Sequence, residues 1–351
     1  MKESRYSRLY RLEQEKYEKV IPLLESNNEL SVFSVIHGII PGEIFVNDSF
    51  HTTTALIKTS ECNLLAGNID DVGFNSAISE ELDFWDPVTP DSYKWNTVIP
   101  NIHKNLFIRK YRRRRYSLHI ENRLNIACSL PDGYFIEPVI PADLRSYQYE
   151  NSHKLIDWVG NWGSDEAFNK HGAGCYVRNG NIIVSWSLSD CSYQDKIAIG
   201  VHTDERYRKK GFGIVAVNET INMCFSKGYR SIEWLCVDIN KGSISIAENL
   251  GFKLVCKYDA FSSYPPIENP ADLSEAEWNE WGTYLENAVM TEPQLLTECL
   301  FAYIKANNVN KANEILLIHR QGKPVKHDIN GFIKYLHKIG MAANFHDDWI
   351  R

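Results

Sequence analysis

The 351-residue chain lacks most of the features that assign a class quickly. No apolar run approaches the roughly 20 residues that cross a bilayer, so no membrane span is expected. The opening stretch MKESRYSRLYRLEQEKYEKV is charged throughout and has no apolar segment fit for a secretory leader. The 8 cysteines stand singly, without a C-x-x-C, and most lie in apolar runs such as WLCVD and LVCKY. Buried, reduced thiols are therefore expected, rather than a disulfide framework. Neither G-x-x-x-x-G-K-[ST] nor G-x-G-x-x-G occurs, which removes two common glycine-loop nucleotide signatures. HDDW near the C-terminus has metal-capable residue types but no ligand spacing, so no metal is expected. Excess positive charge is missing too: the formal net charge of -7 argues against nucleic acid as a partner. The expectation is a cytoplasmic protein acting on small molecules, with a homodimer allowed.

What is present is core-forming material. Hydrophobic residues make up 44% of the chain and aromatics 12%, enough for a sizeable interior, and the length suits about two domains. Residues 7–28 have helical spacing. SVFSVIHGII and EIFVND read as strands around the Pro41-Gly42 turn, followed by strands in TTTALIKT and CNLLAGN. Residues 68–100 read as a helix flanked by loops, and YSLHIE as an edge strand. LPDGY closes a first α/β domain, 1–128. From 129 to 264 the order is regular: helices over 142–161, then a hairpin with an Asn179-Gly180 turn. The strand KIAIGVHT, a helix after Gly213, the strand SIEWLCVD, the short helix ISIAENLG and a last strand follow. Beyond a proline-rich linker, residues 265–351 read as a helical extension with capping-box spacing at Ser274…Glu277 and Thr291…Gln294. TECLFAYIKAN and VNKANEILLIHR could pair there, offering a protein-contact surface.

The stretch YRKKGFG, Tyr207–Gly213, sits between a buried-type strand and a helix. The first N–H groups of a helix have no internal partner and carry the positive end of its dipole, so they attract phosphate. Gly211 and Gly213 allow close backbone approach. Taken alone, a short glycine-plus-lysine string is as readily a solvated basic turn.

Its context adds to it. Arg208-Lys-Lys-Gly-Phe-Gly213 resembles the Gln/Arg-x-x-Gly-x-Gly/Ala signature of the Gcn5-related N-acetyltransferases. Asn240-Lys-Gly-Ser243…Leu250-Gly251-Phe252 resembles that family's second motif. GAGCYVRNGNIIVSWSLSDC, IGVHTDERYRKKGFG, SIAENLGF and, further upstream, PGEIFVND are similar to the subfamily that includes zwittermicin A resistance enzymes. The resemblance implies a mixed twisted sheet flanked by helices, preceded by a smaller α/β domain. It also implies acetyl-coenzyme A as co-substrate and a small-molecule amine, antibiotic-like in that subfamily, as acceptor. A protein amine and a coenzyme-binding module without turnover are the alternatives. Carried over residue by residue, Arg208, Lys209, Lys210, Gly211, Phe212, Gly213 and Ile214 would cradle the pyrophosphate. Val201, His202 and Thr203 would pair with the pantetheine arm, and Asn240 and Ser243 would touch the coenzyme from the second helix.

The chain departs from the family where proton transfer is concerned. Ala247 stands where many members have a tyrosine, and Ala198 where some have an acidic residue. Candidates for the base are His202, Asp190 and Glu233, each with a plainer role available. His202 could be a structural histidine, Asp190 a turn or cap residue, and Glu233 a strand-edge carboxylate. RKYRRRRY, the most basic run, reads as a solvated face. Trp158, Trp162 and Trp186 read as core, with an acceptor pocket as the alternative.

Overall fold

The computed structural model describes residues 9–24, 29–82, 86–103, 108–126, 128–263, 274–290 and 295–320. The chain divides into two compact units, Met1–Ser262 and Ser263–Arg351. The first contains β1 (Tyr10–Arg11), α1 (Leu30–Ile36), β2 (Glu43–Val46), β3 (Thr54–Lys58) and β4 (Asn63–Gly67). Next come α2 (Val72–Glu81), β5 (Val88–Pro90), α3 (Ile99–Ile102), β6 (Ile108–His119) and β7 (Tyr134–Pro138). Helices α4 (Pro141–Tyr147), α5 (Ser152–Val159) and α6 (Asp165–His171) precede the hairpin β8 (Gly174–Asn179) and β9 (Ile182–Tyr193). The unit closes with β10 (Lys196–Thr203), α7 (Phe212–Ser226), β11 (Ser231–Val237), α8 (Lys241–Asn249) and β12 (Lys253–Ser263). In the second unit α9 (Glu275–Val289), α10 (Leu296–Lys305) and α11 (Val309–Arg320) form a helical group, α10 packing against both neighbours. Thr291…Gln294 and the HDDW segment lie outside the described residues.

One mixed sheet runs through the first unit in the order β1-β2-β3-β4-β5-β12-β6-β11-β10-β9-β8-β7. Strands from both sides of residue 128 share it. One face packs on α7 and α8 through Ile197, Ile199, Val217, Ile221, Trp234 and Ala247. The other packs on α1 and α5 through Val35, Leu155, Trp186, Leu188 and Ala198. Period-two alternation along β10 divides its side chains between these two cores.

Several local expectations are corrected. SVFSVIHGII is not a strand: its first half is α1, nearly every side chain of which is buried, and an apolar run of this length carries no period that separates helix from strand. The helix expected over 7–28 is a 3-10 helix over Gln14–Leu23 that ends around Pro22. Residues 68–100 hold α2 but also β5, a 3-10 turn and α3. YSLHIE is no edge; it ends β6, which lies between β12 and β11. RKYRRRRY is not a solvated face either. Alternation along β6 turns Arg113 and Arg115 inward, 4% and 8% exposed, while Arg112 faces water.

The LGF triplet closes α8. Gly251 takes φ +90°, and the N–H groups of Gly251 and Phe252 bond to the carbonyls of Glu248 and Ala247. This is a helix stop that only glycine adopts without strain. A Cβ there would also sit 2.9 Å from Leu124 Cγ. Gly251→Ala is expected to lower the unfolding free energy by about 1–2 kcal/mol, read by denaturant titration, with the family of folded signals unchanged.

Candidate active site

The site is built on a fork between two parallel strands. β10 pairs with β11 only at Lys196↔Ser231, Ile197↔Ile232 and Ala198↔Glu233. From Ile199 to Thr203, among the described residues, β10 pairs with β9 alone. The register with β9 shifts at the same level: Ala198 faces Cys191 and Ile199 faces Ser189, leaving Asp190 as the extra residue of a β-bulge. Bulges bend a strand and increase its twist. Here the bend coincides with the point where β10 leaves β11, and the freed edge of β10 carries backbone donors and acceptors that need a partner.

At the mouth of the fork lies the N-terminus of α7. Gly211 caps it at φ +84°, and Lys209 is also left-handed at φ 62°. A Cβ on Gly211 would meet nothing within 4 Å, so what favours glycine there is the left-handed backbone. Gly213 differs: its Cβ would lie 3.3 Å from both Ile246 Cδ1 and Thr203 Oγ1, so it lets α7 settle against β10 and α8. The N–H groups of Phe212 and Gly213 have no carbonyl one turn back to bond. Phe212 itself is buried and stacks on Tyr134 at 4.6 Å, which anchors the first turn.

The loop entering α7 is fixed by Asp204. Its carboxylate accepts from Arg206 N at 3.0 Å, Arg206 Nε at 2.9 Å and Asn151 Nδ2 at 3.0 Å. Those bonds, Arg206 foremost, hold Asp204 well below the usual carboxylate range. Asn151 donates onward to Ile183 O at 2.9 Å, tying the loop to β9. The cations of the loop fold back on it: Arg208 Nε donates to Thr203 O at 3.3 Å and Lys210 Nζ to Arg206 O at 3.2 Å. Nothing in the sequence motif points to this clasp.

Of the remaining expected coenzyme contacts, Val201 packs with the α7-side core and Thr203 Oγ1 shares a 2.8 Å hydrogen bond with Ser185 Oγ. Asn240 caps α8 by accepting from Ser243 N at 3.0 Å, and its exposed side chain keeps its amide donors. Ser243 Oγ accepts from Trp234 Nε1 at 2.9 Å. Ala247 is fully buried in the core on the α7 and α8 side and supplies no acid itself.

The three candidate bases all lie on the opposite face of the sheet from α7. His202 stacks on its cross-strand neighbour Trp186, ring centres 4.5 Å apart. Burial, reinforced by Lys154 and Arg208, pushes its pKa down to about 4, so the ring is neutral near pH 7. Asp190 is not a turn or cap residue; it sits in the bulge of β9, 8% exposed, and accepts a hydrogen bond from Trp158 Nε1. The Trp158 ring lies over Gly200, where a Cβ would come within 2.8 Å of Cζ2 and 3.5 Å of Asp190 Oδ2. Glu233 is not at a strand edge; it faces Ala198 at the closed end of the fork, 7% exposed. Its Oε2 is buried without a hydrogen-bond partner, and burial raises its pKa against the opposing pull of Arg115 and Lys196. Trp186 Nε1 is likewise buried and unpartnered, whereas Trp162 Nε1 donates to Ser189 O at 2.9 Å. Unsatisfied buried polar atoms are rare in folded proteins, and Glu233 Oε2 and Trp186 Nε1 are among those at this part of the fork.

The comparisons with known proteins agree with this geometry. A family model described as GNAT acetyltransferase matches residues 21–261, which span the whole fork and both of its motifs. The Bacillus subtilis (strain 168) protein YdfB, an uncharacterized N-acetyltransferase, is 26% identical over 239 residues, covering 66% of this chain and 89% of YdfB. A crystal structure of a GCN5-related N-acetyltransferase-like protein from Streptococcus suis 89/1591 is similar in fold. Its TM-score is 0.57 at 23% identity, over 71% of this chain and 98% of that one. The chain belongs to the GNAT acetyltransferase family and is an acyltransferase.

Proposed function

We propose that the protein transfers the acetyl group of acetyl-coenzyme A to a primary amine of a small molecule, within a ternary complex. The observation that carries this reading is the fork itself, with unpaired helix N–H groups at its mouth and buried carboxylates across the sheet. The residues fit the coenzyme. The left-handed backbone at Lys209 and Gly211, with open space where a Cβ would stand on Gly211, suits a pyrophosphate, and the free edge of β10 suits an extended amide-bearing arm. Val201, His202 and Thr203 would supply that edge, and Asn240 and Ser243 the far wall. The acceptor resembling an antibiotic or other secondary metabolite follows from the subfamily resemblance.

Acetyl-coenzyme A supplies an activated thioester carbonyl with a thiolate leaving group. The protein's part is orientation and proton movement. An alkyl ammonium near pKa 10 must lose a proton before its nitrogen can attack. Glu233 receives it: the carboxylate is at the fork, its Oε2 is uncommitted, and burial raises its basicity. His202, with its pKa near 4, is a weaker base, and Asp190 is engaged by Trp158. Backbone N–H groups on the edge of β10 face the thioester oxygen as it gains charge. As the new C–N bond forms the C–S bond breaks, and the second amine proton passes to the sulfur.

A coenzyme-binding module without turnover is the second reading, favoured by the apolar Ala198 and Ala247.

Acetyl-coenzyme A at about 100 times its Kd is expected to stabilise the fold by about 2.7 kcal/mol, seen as a raised Tm. Gly211→Val should abolish that shift while leaving the circular dichroism spectrum intact; unchanged affinity would refute the cradle. Glu233→Gln should reduce kcat by about 100-fold or more with coenzyme affinity retained. The working form of Glu233 is the ionised one, so wild-type kcat/KM should fall as pH drops through a pKa above the ordinary carboxylate range. Absence of thiol release with every amine tried, despite coenzyme binding, selects the second reading.

A further inference from the structure

On the same sheet face as Glu233 lies a closed group of charges that the phosphate loop does not explain. In the β6–β11 ladder Ser117 faces Glu233 and Arg115 faces Leu235. Arg115 and Glu233 are thus diagonal neighbours with side chains on one face, within reach of a long guanidinium. Arg115 is drawn by Glu29 and Tyr258 as well as by Glu233. Its Nη2 stands 3.7 Å from Glu29 Oε1, and its guanidinium lies over the Tyr258 ring, 5.6 Å from the centre. Glu29 is 1% exposed, stands at the N-cap of α1, and accepts from Cys62 Sγ at 3.3 Å. Next along β6, Arg113 is engaged by Glu61 at 3.6 Å. The carboxylate at the fork is thereby left with a buried, unpartnered Oε2 although an arginine is its diagonal neighbour.

Resting on the reading that Glu233 accepts the acceptor's proton, we infer that Glu29 is a positioning residue. By engaging Arg115 it keeps that guanidinium from pairing with Glu233, so Glu233 remains free to act as a base. The N-terminal part of the chain, through α1, thereby sets the chemistry of a fork built from the C-terminal strands. The groups facing Glu233 are few. Arg115 comes from β6, Lys196 from β10 and Glu29 from α1, with Cys191 from β9 beside them. Asp190 and Glu61 act on the same corner through Cys191, and Tyr258 and Cys256 of β12 through Arg115. The negative charge of Glu29 offsets Arg115; a neutral amide in its place would leave the charge of Arg115 acting on Glu233. An opposite charge at close range lowers a carboxylate pKa.

The test combines kinetics with direct titration. In Glu29→Gln, which preserves shape and an acceptor for Cys62, two quantities should move to lower pH together. These are the acidic limb of kcat/KM and the 13C carboxyl titration of Glu233, each by about one unit. Arg115→Met should move both to higher pH, and Glu29→Asp, which retains the charge, should stay near wild type. If Arg115→Met does not fold, the Glu29→Gln titration decides alone. A Glu233 titration unmoved in Glu29→Gln overturns the inference. Near wild-type kcat in Glu233→Gln takes down the base assignment instead, so the two failures are told apart.

Discussion

The departure of β10 from β11 after Ala198 is the constraint on which the rest of the structure depends. A parallel pair that continued would satisfy both edges and leave nowhere for a ligand to lie. Instead the ladder stops after three residue pairs, and the bulge at Asp190 bends β9 and β10 together at that level. The backbone groups released from Ile199 to Thr203 cannot be buried without partners, so the fork either stays open to water or holds something with amide-like groups. Once the fork exists, the position of α7 follows. The chain leaves β10 at Thr203 and enters the helix at Phe212, which brings the positive end of the dipole to the mouth.

The two faces of the fork carry different physics. Toward α7 and α8 the sheet is apolar, and Trp234 and Ser243 satisfy each other. Toward α1 it holds Glu29, Arg113, Arg115, Glu233 and the buried hydroxyl of Tyr258. Replacing such a network with hydrophobic residues would often be no less stable, because desolvation offsets most of the attraction. Stability therefore does not account for keeping it. In the proposed reaction its use is a carboxylate left uncommitted at the fork, since a group already paired with arginine is a poor proton acceptor.

The sequence disclosed the elements whose local chemistry is self-sufficient. The Asn179-Gly180 turn and the LGF stop each depend on backbone conformations that few residues adopt, so they could be read without the fold; Arg208–Gly213 is read from its place between strand and helix and from the second motif downstream. What could not be read depends on partners distant in the chain. RKYRRRRY looks like a solvated run because nothing nearby says that β6 is interior; its inward arginines meet Glu29 and Glu61, more than fifty residues earlier. With arginine at all four positions from 112 to 115, the residue types carry no alternation that would mark the inward pair. Asp190 looked like a turn residue because it ends a hairpin strand in the sequence, whereas the strand continues through it as a bulge. SVFSVI failed for another reason: a segment buried on all sides has no face, and therefore no period.

Three cations in and just before YRKKGFG, Arg206, Arg208 and Lys210, have a different task from the one their charge suggests. Arg206 is committed to Asp204 and Glu150, Arg208 to the carbonyl of Thr203, and Lys210 to the carbonyl of Arg206 and the face of Tyr207. All of these except the Arg206–Glu150 pair close the loop on itself. Holding Lys209 in the left-handed region costs about 1–2 kcal/mol, and the closed loop is what sustains that conformation. The resulting backbone, with Gly211 also left-handed, aims N–H groups outward where straight continuation of the strand would not. Charge in this loop thus acts first through geometry, shaping the donors, and only second as a field that draws an anion toward them. In the proposed reaction the proton acceptor lies across the thickness of the sheet from this loop, on the face opposite α7.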